Sequence, residues 1–259
     1  MITEDISVLT QHSRSRFDDL YVNVMGQMWS HPRNEQRPVI LRWLDKLHEK
    51  FPAVVDIGPG DAYYLKRLAP RRYTFAEPNA HLYQTALARA RTHNIECRSF
   101  PNIRALIGNN GLETFDLALM VHVLLYLELD EIETLLPKFV GKPLFLVYPW
   151  PALSVTVQFE NLLGLDTSFQ RISLMRQLLG RPSRQSVVRG HFYMPHSADI
   201  DSIAFLVSHC AQSGEYDVTK MNLARKFVME NLNKWRQPAG YKIPQGQVLE
   251  VYNLSQLCT

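Results

Sequence analysis

Cysteine is scarce: three in 259 residues, Cys97, Cys210 and Cys258, too scattered to form a CxxC pair. That excludes a disulfide framework and points to a reducing compartment. Long apolar runs are missing too, and nothing approaches the roughly 18 residues needed to cross a bilayer. The opening Met-Ile-Thr-Glu-Asp-Ile-Ser is acidic and polar, unlike a secretory signal. A cytoplasmic location with no membrane partner is therefore expected. The formal net charge is only +3, too small to argue for nucleic acid by itself. No metal site is expected: His191 and His196 have no third ligand at a familiar spacing, and the adjacent His209 and Cys210 would diverge on a helix. There is no Gly-x-Ser-x-Gly nucleophile elbow and no Gly-Lys-Ser or Gly-Lys-Thr phosphate loop. No internal repeat, low-complexity tract or convincing linker breaks the chain, whose length suits one elaborated α/β domain.

What the chain does have is concentrated at residues 53–62, Ala-Val-Val-Asp-Ile-Gly-Pro-Gly-Asp-Ala. Ala53–Ile57 is short, apolar and β-branched, as a strand buried on both faces should be. Gly58 and Gly60 follow, and Tyr63–Leu68 reads as a helix. Strand, glycine turn and helix together present backbone N–H groups to a ligand. Glu77 closes the next expected strand, Tyr73–Ala76, about 20 residues on, where a carboxylate can accept from both hydroxyls of a ribose. A dinucleotide fingerprint would place Gly or Ala where Tyr63 stands. Pyrophosphate and triphosphate ligands are thus disfavoured, leaving a nucleoside without phosphate.

The remaining pattern extends this core. Residues 3–30 read as a helix, with Ile6, Leu9, Phe17, Leu20, Val24 and Met28 at helical spacing. Pro38 is placed to open a second helix, Val39–Phe51. Helix 80–92, strand 95–100, strand 115–121, helix 129–136 and strand 144–147 follow. Residues 152–180 read as helical, 186–194 as a strand, 198–210 and 218–235 as helices, and 247–254 as the closing strand. In an open α/β sheet ligands bind beyond the carboxyl ends of the strands. That rule aligns Gly58, Glu77, Asn102, His122 and Tyr148 along one rim. Arg171, Arg176, Arg181, Arg184 and Arg189 fall in a stretch with no acid between Asp166 and Asp199. They could meet phosphates or form a solvated surface.

Asp56, Gly58 and Gly60 match the acidic-x-Gly-x-Gly motif, Glu77 in Phe-Ala-Glu-Pro-Asn matches the acid after the second strand, and residues 115–127 match the fourth strand and its turn. On these residues the sequence resembles the S-adenosylmethionine-dependent methyltransferases with a Rossmann-like fold, small-molecule members and histamine N-methyltransferase-like proteins in particular. The resemblance covers roughly residues 36–150 well. Ala62 departs from it where many members have a third glycine. It implies an α/β fold: a mostly parallel Rossmann-like sheet with an antiparallel closing strand and helices on both faces. Within a single domain, residues 1–37 would be an N-terminal helical lid, 38–150 the cofactor core, 151–196 an inserted helical cap, and 197–259 the closing helices and strand.

S-adenosylmethionine is the implied cofactor, held by Asp56, Gly58, Pro59, Gly60, Glu77 and Pro78, and by Asn102, Ile103, Val121 and His122. Asn102 would meet the adenine; as an Asn it equally suits a helix N-cap. His122 is the candidate base, since its ordinary pKa near ~6.5 suits proton acceptance; orienting the cofactor is its other reading. Tyr148 is the second catalytic candidate. Tyr126, Tyr148 and Trp150 could enclose a cationic sulfur, and Tyr21, with Phe17 and Trp29, could cover the site or pack the helix onto the body. The expected reaction is methylation of N or O on a small molecule. An alternative keeps the cofactor but cyclises or cleaves its aminocarboxypropyl arm, as azetidine-2-carboxylate synthases do, releasing methylthioadenosine. A nucleic-acid methyltransferase is disfavoured because His122-Val-Leu-Leu replaces the Asn- or Asp-Pro-Pro-aromatic motif; a non-catalytic binding protein is a further alternative.

Overall fold

The structure, a computed structural model, describes residues 3–46, 51–209 and 216–253, and for residues 3–15 the backbone alone. Residues 47–50 of the expected second helix, the helix end at Cys210, the strand end at Leu254, and the side chains of Ile6 and Leu9 lie outside that description, whereas Phe51, the expected end of the second helix, is described and is not helical. Contacts divide the chain into two compact units: residues 1–36, 150–168 and 189–246 in one, and residues 37–149, 169–188 and 247–259 in the other.

The larger unit holds the sheet that the glycine turn belongs to. Its elements are α2 (Gln36–Asp45, from its second residue), β1 (Ala53–Ile57), α3 (Leu65–Leu68), β2 (Arg72–Ala76), α4 (Ala80–Thr92), β3 (Glu96–Phe100), α5 (Ile103–Gly108), β4 (Leu117–Val121), α6 (Leu129–Leu135), β5 (Leu144–Ser154, as far as Pro149), α8 (Thr167–Leu179, from its third residue) and β6 (Arg184–Val188). The closing strand β9 runs Gly240–Tyr252. Among the described residues the strand order is β3-β2-β1-β4-β5-β9-β6. β1 pairs in parallel with β2 and β4, β2 with β3, and β4 with β5, whereas β6 pairs antiparallel with β9. The mostly parallel sheet with an antiparallel closing strand is therefore as expected.

Burial explains the central strands. All five residues of β1 are buried, as a strand covered on both faces requires. On one face Val54, Tyr73, Phe75, Leu117, Leu119, Phe145, Val147, Leu249 and Val251 pack with Ile40 and Leu44 of α2, Leu65 and Leu68 of α3, and Ala86 and Ala90 of α4. Each such aliphatic side chain contributes about 1.5–3 kcal/mol by burial.

Several boundaries differ from the sequence reading. The helix after the glycine turn begins at Leu65, not Tyr63, because Ala62 takes a left-handed φ of 49° and the chain turns there first. Helix α2 starts before Pro38, which sits in its first turn, where the missing N–H costs nothing. Strand β9 starts seven residues earlier than expected and β5 runs seven residues further. Pro149, Pro151 and Pro244 hid those extensions, since prolines disrupt the strand pattern. The expected strand 186–194 is two strands, Arg184–Val188 and His191–Met194, interrupted at Arg189-Gly190.

The smaller unit contains α1 (Thr3–Ser30), α7 (Val155–Leu162), β7 (His191–Met194), α9 (Ile200–Ser208), α10 (Val218–Trp235) and β8 (Arg236–Gln237). The first half of β9 pairs antiparallel with β7 and β8. The expected helix over 152–180 is thus two, α7 and α8, separated by a turn at Gly164, φ 69°. Phe17, Val24 and Met28 pack with Val155, Phe159, Phe205, Met221 and Val228.

Candidate functional site

The site forms where the parallel strands end. The peptide after β1 must reverse sharply, and Gly58 and Gly60 both take left-handed φ, 63° and 58°, where a Cβ is costly. Gly58 is also pressed from outside: a Cβ there would lie 2.6 Å from Cγ2 of Val123, in the turn after β4. At Gly60 a Cβ would meet nothing within 4 Å, so that side of the turn is open. Ala62 also takes a left-handed φ, 49°, and is buried.

Backbone hydrogen bonds lock the neighbouring strand ends in register. Gly58 N–H donates to Ala76 O (2.9 Å), Glu77 N–H to Phe100 O (3.1 Å), and His122 N–H to Val147 O (2.8 Å). Glu77 is buried, and its carboxylate accepts from Gly60 N–H at 3.0 Å and Asn79 N–H at 2.9 Å. It thereby joins the glycine turn to the start of α4, which Asn79 caps through Leu82 N–H. Beneath the turn Asp56 accepts from the Tyr73 hydroxyl at 2.8 Å. Burial, opposed by that hydrogen bond and reinforced by Glu77, pushes the Asp56 carboxyl up to about 7.

The other predicted residues fall into three situations. Pro59 O accepts from Ala62 N–H inside the turn, and exposed Pro78 follows Glu77. Asn102 caps α5, its Oδ1 accepting from Ala105 N–H at 2.8 Å, and Ile103 is buried behind it. Val121 and His122 end β4, both half-buried, and His122 adopts a left-handed φ of 61°. A non-glycine residue there marks local strain, as functional rims often hold. Tyr126 closes a short 3-10 turn over Leu124–Tyr126.

Tyr148 lies on the opposite sheet face, 1% exposed, its hydroxyl donating to Glu250 (2.8 Å) and accepting from Arg176 (3.1 Å). Burial, with the Glu250 carboxylate beside it, holds its phenol protonated far above the ordinary range. This geometry ties the Tyr148 hydroxyl to Glu250 and Arg176. Tyr21 and Trp150 belong to the smaller unit. There Tyr21 stacks on Phe17 at 6.2 Å, which meets Phe205 edge-on at 5.2 Å, and Trp29 packs against the same cluster. Trp150 covers Gly246, where a Cβ would come within 2.9 Å of the indole.

Three features of the site escaped the sequence reading. Arg37 packs over the Tyr63 ring at 4.0 Å and pairs with Asp61 at 3.0 Å, bracing the turn from α2. Glu250 is fully buried and accepts from Tyr148, Gln185 (2.8 Å), Tyr252 (2.7 Å) and Arg176 (3.3 Å). Gln247 is also buried in β9. Two of the five arginines are used internally: Arg176 on Glu250, and buried Arg171 on Leu127 O at 2.6 Å. A polar cleft of about 150 Å³ lies at the opposite sheet edge, among Ala53, Arg72, Glu96 and Thr114 where strands begin. Among the described residues no cluster of three His, Cys, Asp or Glu is placed to hold a metal, and no helix is long and apolar enough to cross a membrane.

No protein-family model matches the chain. No curated protein matches it in sequence. Solved structures do match in fold. A Bacillus halodurans C-125 protein named as a methyltransferase aligns with TM-score 0.50 at 9% identity, over 83% of this chain and 99% of its own. The [4+2]-cyclase SpnF aligns at 0.48 and 11% identity over 94% and 96%. The O-methyltransferase of Bacillus cereus in complex with SAH aligns at 0.42 and 14% identity over 95% and 97%. The fold is the Rossmann-like α/β fold of the first of these.

Proposed function

We propose that this protein binds S-adenosylmethionine at the rim of its parallel sheet and transfers the methyl group to nitrogen or oxygen of a small molecule. The observation that carries this reading is the Glu77 carboxylate, held by Gly60 N–H and Asn79 N–H beside a glycine turn that is open on the ligand side. A carboxylate at the end of the second strand, beside that turn, is placed to accept from both hydroxyls of a ribose. The acid-x-Gly-x-Gly turn with no third glycine and no lysine suits a nucleoside without phosphate.

When bound, the cofactor supplies an electrophilic methyl group, and S-adenosylhomocysteine remains afterwards. This chain's residues then have three tasks. Glu77 and the turn fix the nucleoside, with Asn102, Ile103 and Pro78 bordering its base. Val121 and His122, at the end of β4, align the acceptor; alignment alone supplies up to about 7–11 kcal/mol of barrier lowering. His122 takes the proton that a methylated amine or hydroxyl sheds. Tyr126 borders the same turn. A small acceptor is favoured over nucleic acid because Arg171 and Arg176 serve internal carbonyl and carboxylate partners.

The test is calorimetry with S-adenosylhomocysteine on wild type and Glu77→Gln. A hydrogen bond to a charged group contributes about 1.5–3 kcal/mol, so the variant should bind roughly 10-fold to 150-fold more weakly. Equal affinity would refute the ribose assignment. Mass spectrometry after incubation with S-adenosylmethionine alone separates the chemistries: methylthioadenosine without an acceptor would replace methyl transfer by cleavage or cyclisation of the amino-acid arm.

A further inference from the structure

Gln247 lies on β9 with 1% of its surface exposed, and neither its Nε2 nor its Oε1 has a hydrogen-bond partner among the described residues. Buried carboxamides almost always find partners, and an unpaired one carries a desolvation cost that this fold does not offset. The residue across the ladder is Val188, which offers nothing polar. By strand alternation Gln247 shares a face with Leu249 and Val251, the face packed on α2 and α3.

Its height in the sheet is fixed by the far end of β9. Asn253 Nδ2 donates to Lys142 O at 2.9 Å, setting the end of β9 beside the start of β5. Six residues back along the strand, Gln247 follows Gly246, whose Cβ position lies 2.9 Å from the Trp150 ring, so it stands within a residue or two of Tyr148 in height, just beyond Val147, whose carbonyl holds His122 N–H. Gln247 is therefore at rim height. Its strand is two positions from β4 on the side away from β1, β2 and β3. At about 4.8 Å per strand, that places it roughly 10 Å from the β4 end. The nucleoside end of the site lies in the other direction.

We infer that Gln247 is a specificity-determining residue that reads a neutral donor–acceptor edge on the acceptor substrate: a carboxamide, lactam or pyridone group lying about 10 Å along the sheet from the strand that ends at His122. The inference rests on the methyl-acceptor reading above. Oε1 accepts and Nε2 donates side by side, so the matching ligand edge presents one N–H and one C=O. A neutral carboxamide in apolar surroundings favours a neutral ligand group over a charged one.

The probe is 2-pyridone, with anisole as the comparator that lacks the edge, titrated into protein saturated with S-adenosylhomocysteine. The Gln247 side-chain amide signal, identified by its loss in Gln247→Leu, should shift with 2-pyridone and stay fixed with anisole. Gln247→Leu should bind 2-pyridone at least tenfold more weakly, keep its S-adenosylhomocysteine affinity within twofold, and melt no lower than wild type. Gln247→Glu should exchange preference, binding 2-aminopyridine in its protonated form better than 2-pyridone, because a carboxylate pairs with the two-donor edge of the 2-aminopyridinium ion. Equal pyridone binding by wild type and Gln247→Leu, no binding by wild type, or a melting point several degrees lower in Gln247→Leu would overturn the assignment. Failure of wild type to bind S-adenosylhomocysteine would instead overturn the cofactor reading, while the pyridone titration without it still reports on Gln247.

Discussion

Replacing Asp56 by Asn should flatten the alkaline side of the stability profile. Asp56 is buried beneath the glycine turn, and its carboxyl is pushed from 3.8 up to about 7, chiefly by burial. Between those values the folded protein binds a proton that the unfolded chain has released. Stability therefore falls as pH rises through the window, and this group's contribution is fully present only below about 3.8. Each pH unit well inside the window costs about 1.4 kcal/mol. Integrating between about pH 5 and about pH 8, wild type should lose about 2–3 kcal/mol through this group. Asn cannot ionise, yet its Oδ1 can still accept from the Tyr73 hydroxyl, which donates to Asp56 at 2.8 Å. Urea unfolding of wild type and Asp56→Asn at the two pH values measures the difference directly. The variant should be the more stable protein at the higher pH and should lose less stability across the interval. Parallel pH profiles would refute the reasoning: they would mean that Asp56 ionises normally, and that the turn rests on a charged carboxylate.

Gly58→Ala should destabilise the protein by about 2–4 kcal/mol, combining left-handed strain with overpacking against Val123, read as a lower urea midpoint. His209 is buried with Nδ1 against Leu206 O, and burial lowers it to about 4. The unfolded chain binds more protons than the folded one between about 4 and 6.5, so stability falls as pH drops through that window. His209→Phe should reduce the drop, measured by melting temperature against pH. Glu250→Leu should cost about 3–5 kcal/mol, because Arg176, Tyr148, Tyr252 and Gln185 lose a shared acceptor, whereas Glu250→Gln should cost less; urea midpoints rank the pair. Ala62→Gly should leave the midpoint nearly unchanged, since relief of left-handed strain is offset by a lost buried methyl and a freer unfolded chain, each about 1 kcal/mol.

The strand–glycine–acid core was legible because its signals are local. Ala53–Ile57 announces a buried strand by composition, the two glycines announce a turn by conformation, and Glu77 lies at a fixed distance along one βα unit. Asn102 was legible as a cap for the same reason, and the cap is there. What escaped was non-local. Tyr148 and Glu250 are 102 residues apart, and nothing in either segment signals the other. Arg37 and Asp61 meet across 24 residues, from an α2 whose start lies before Pro38. The seven-residue extensions of β5 and β9 were hidden by prolines that tolerate strand geometry where the ladder does not need their N–H. Tyr148 was legible as a rim residue by position, but the face it points to depends on strand parity, which four residues of apolar run do not reveal.

Strand β9 separates two uses of buried polarity. Glu250 and Tyr252 point to one face, where every oxygen has a partner: Oε1 takes Tyr148, Gln185 and Arg176, and Oε2 takes the Tyr252 hydroxyl, which also reaches Met175 Sδ at 3.3 Å. A carboxylate so satisfied fixes the closing strand against α8, and its removal is a folding problem. Gln247, three residues earlier, faces the other way, is equally buried, and is paired with nothing among the described residues. If burial alone had placed it, a leucine like Leu249 would pack that face at lower cost. The same strand thus carries a polar group whose value lies in the fold and one whose value lies in a ligand. Stability and ligand binding should accordingly respond in opposite patterns: substitution at 250 moves the urea midpoint first, and substitution at 247 moves the pyridone affinity first. A Gln247→Leu protein that unfolds as easily as Glu250→Leu would erase the distinction.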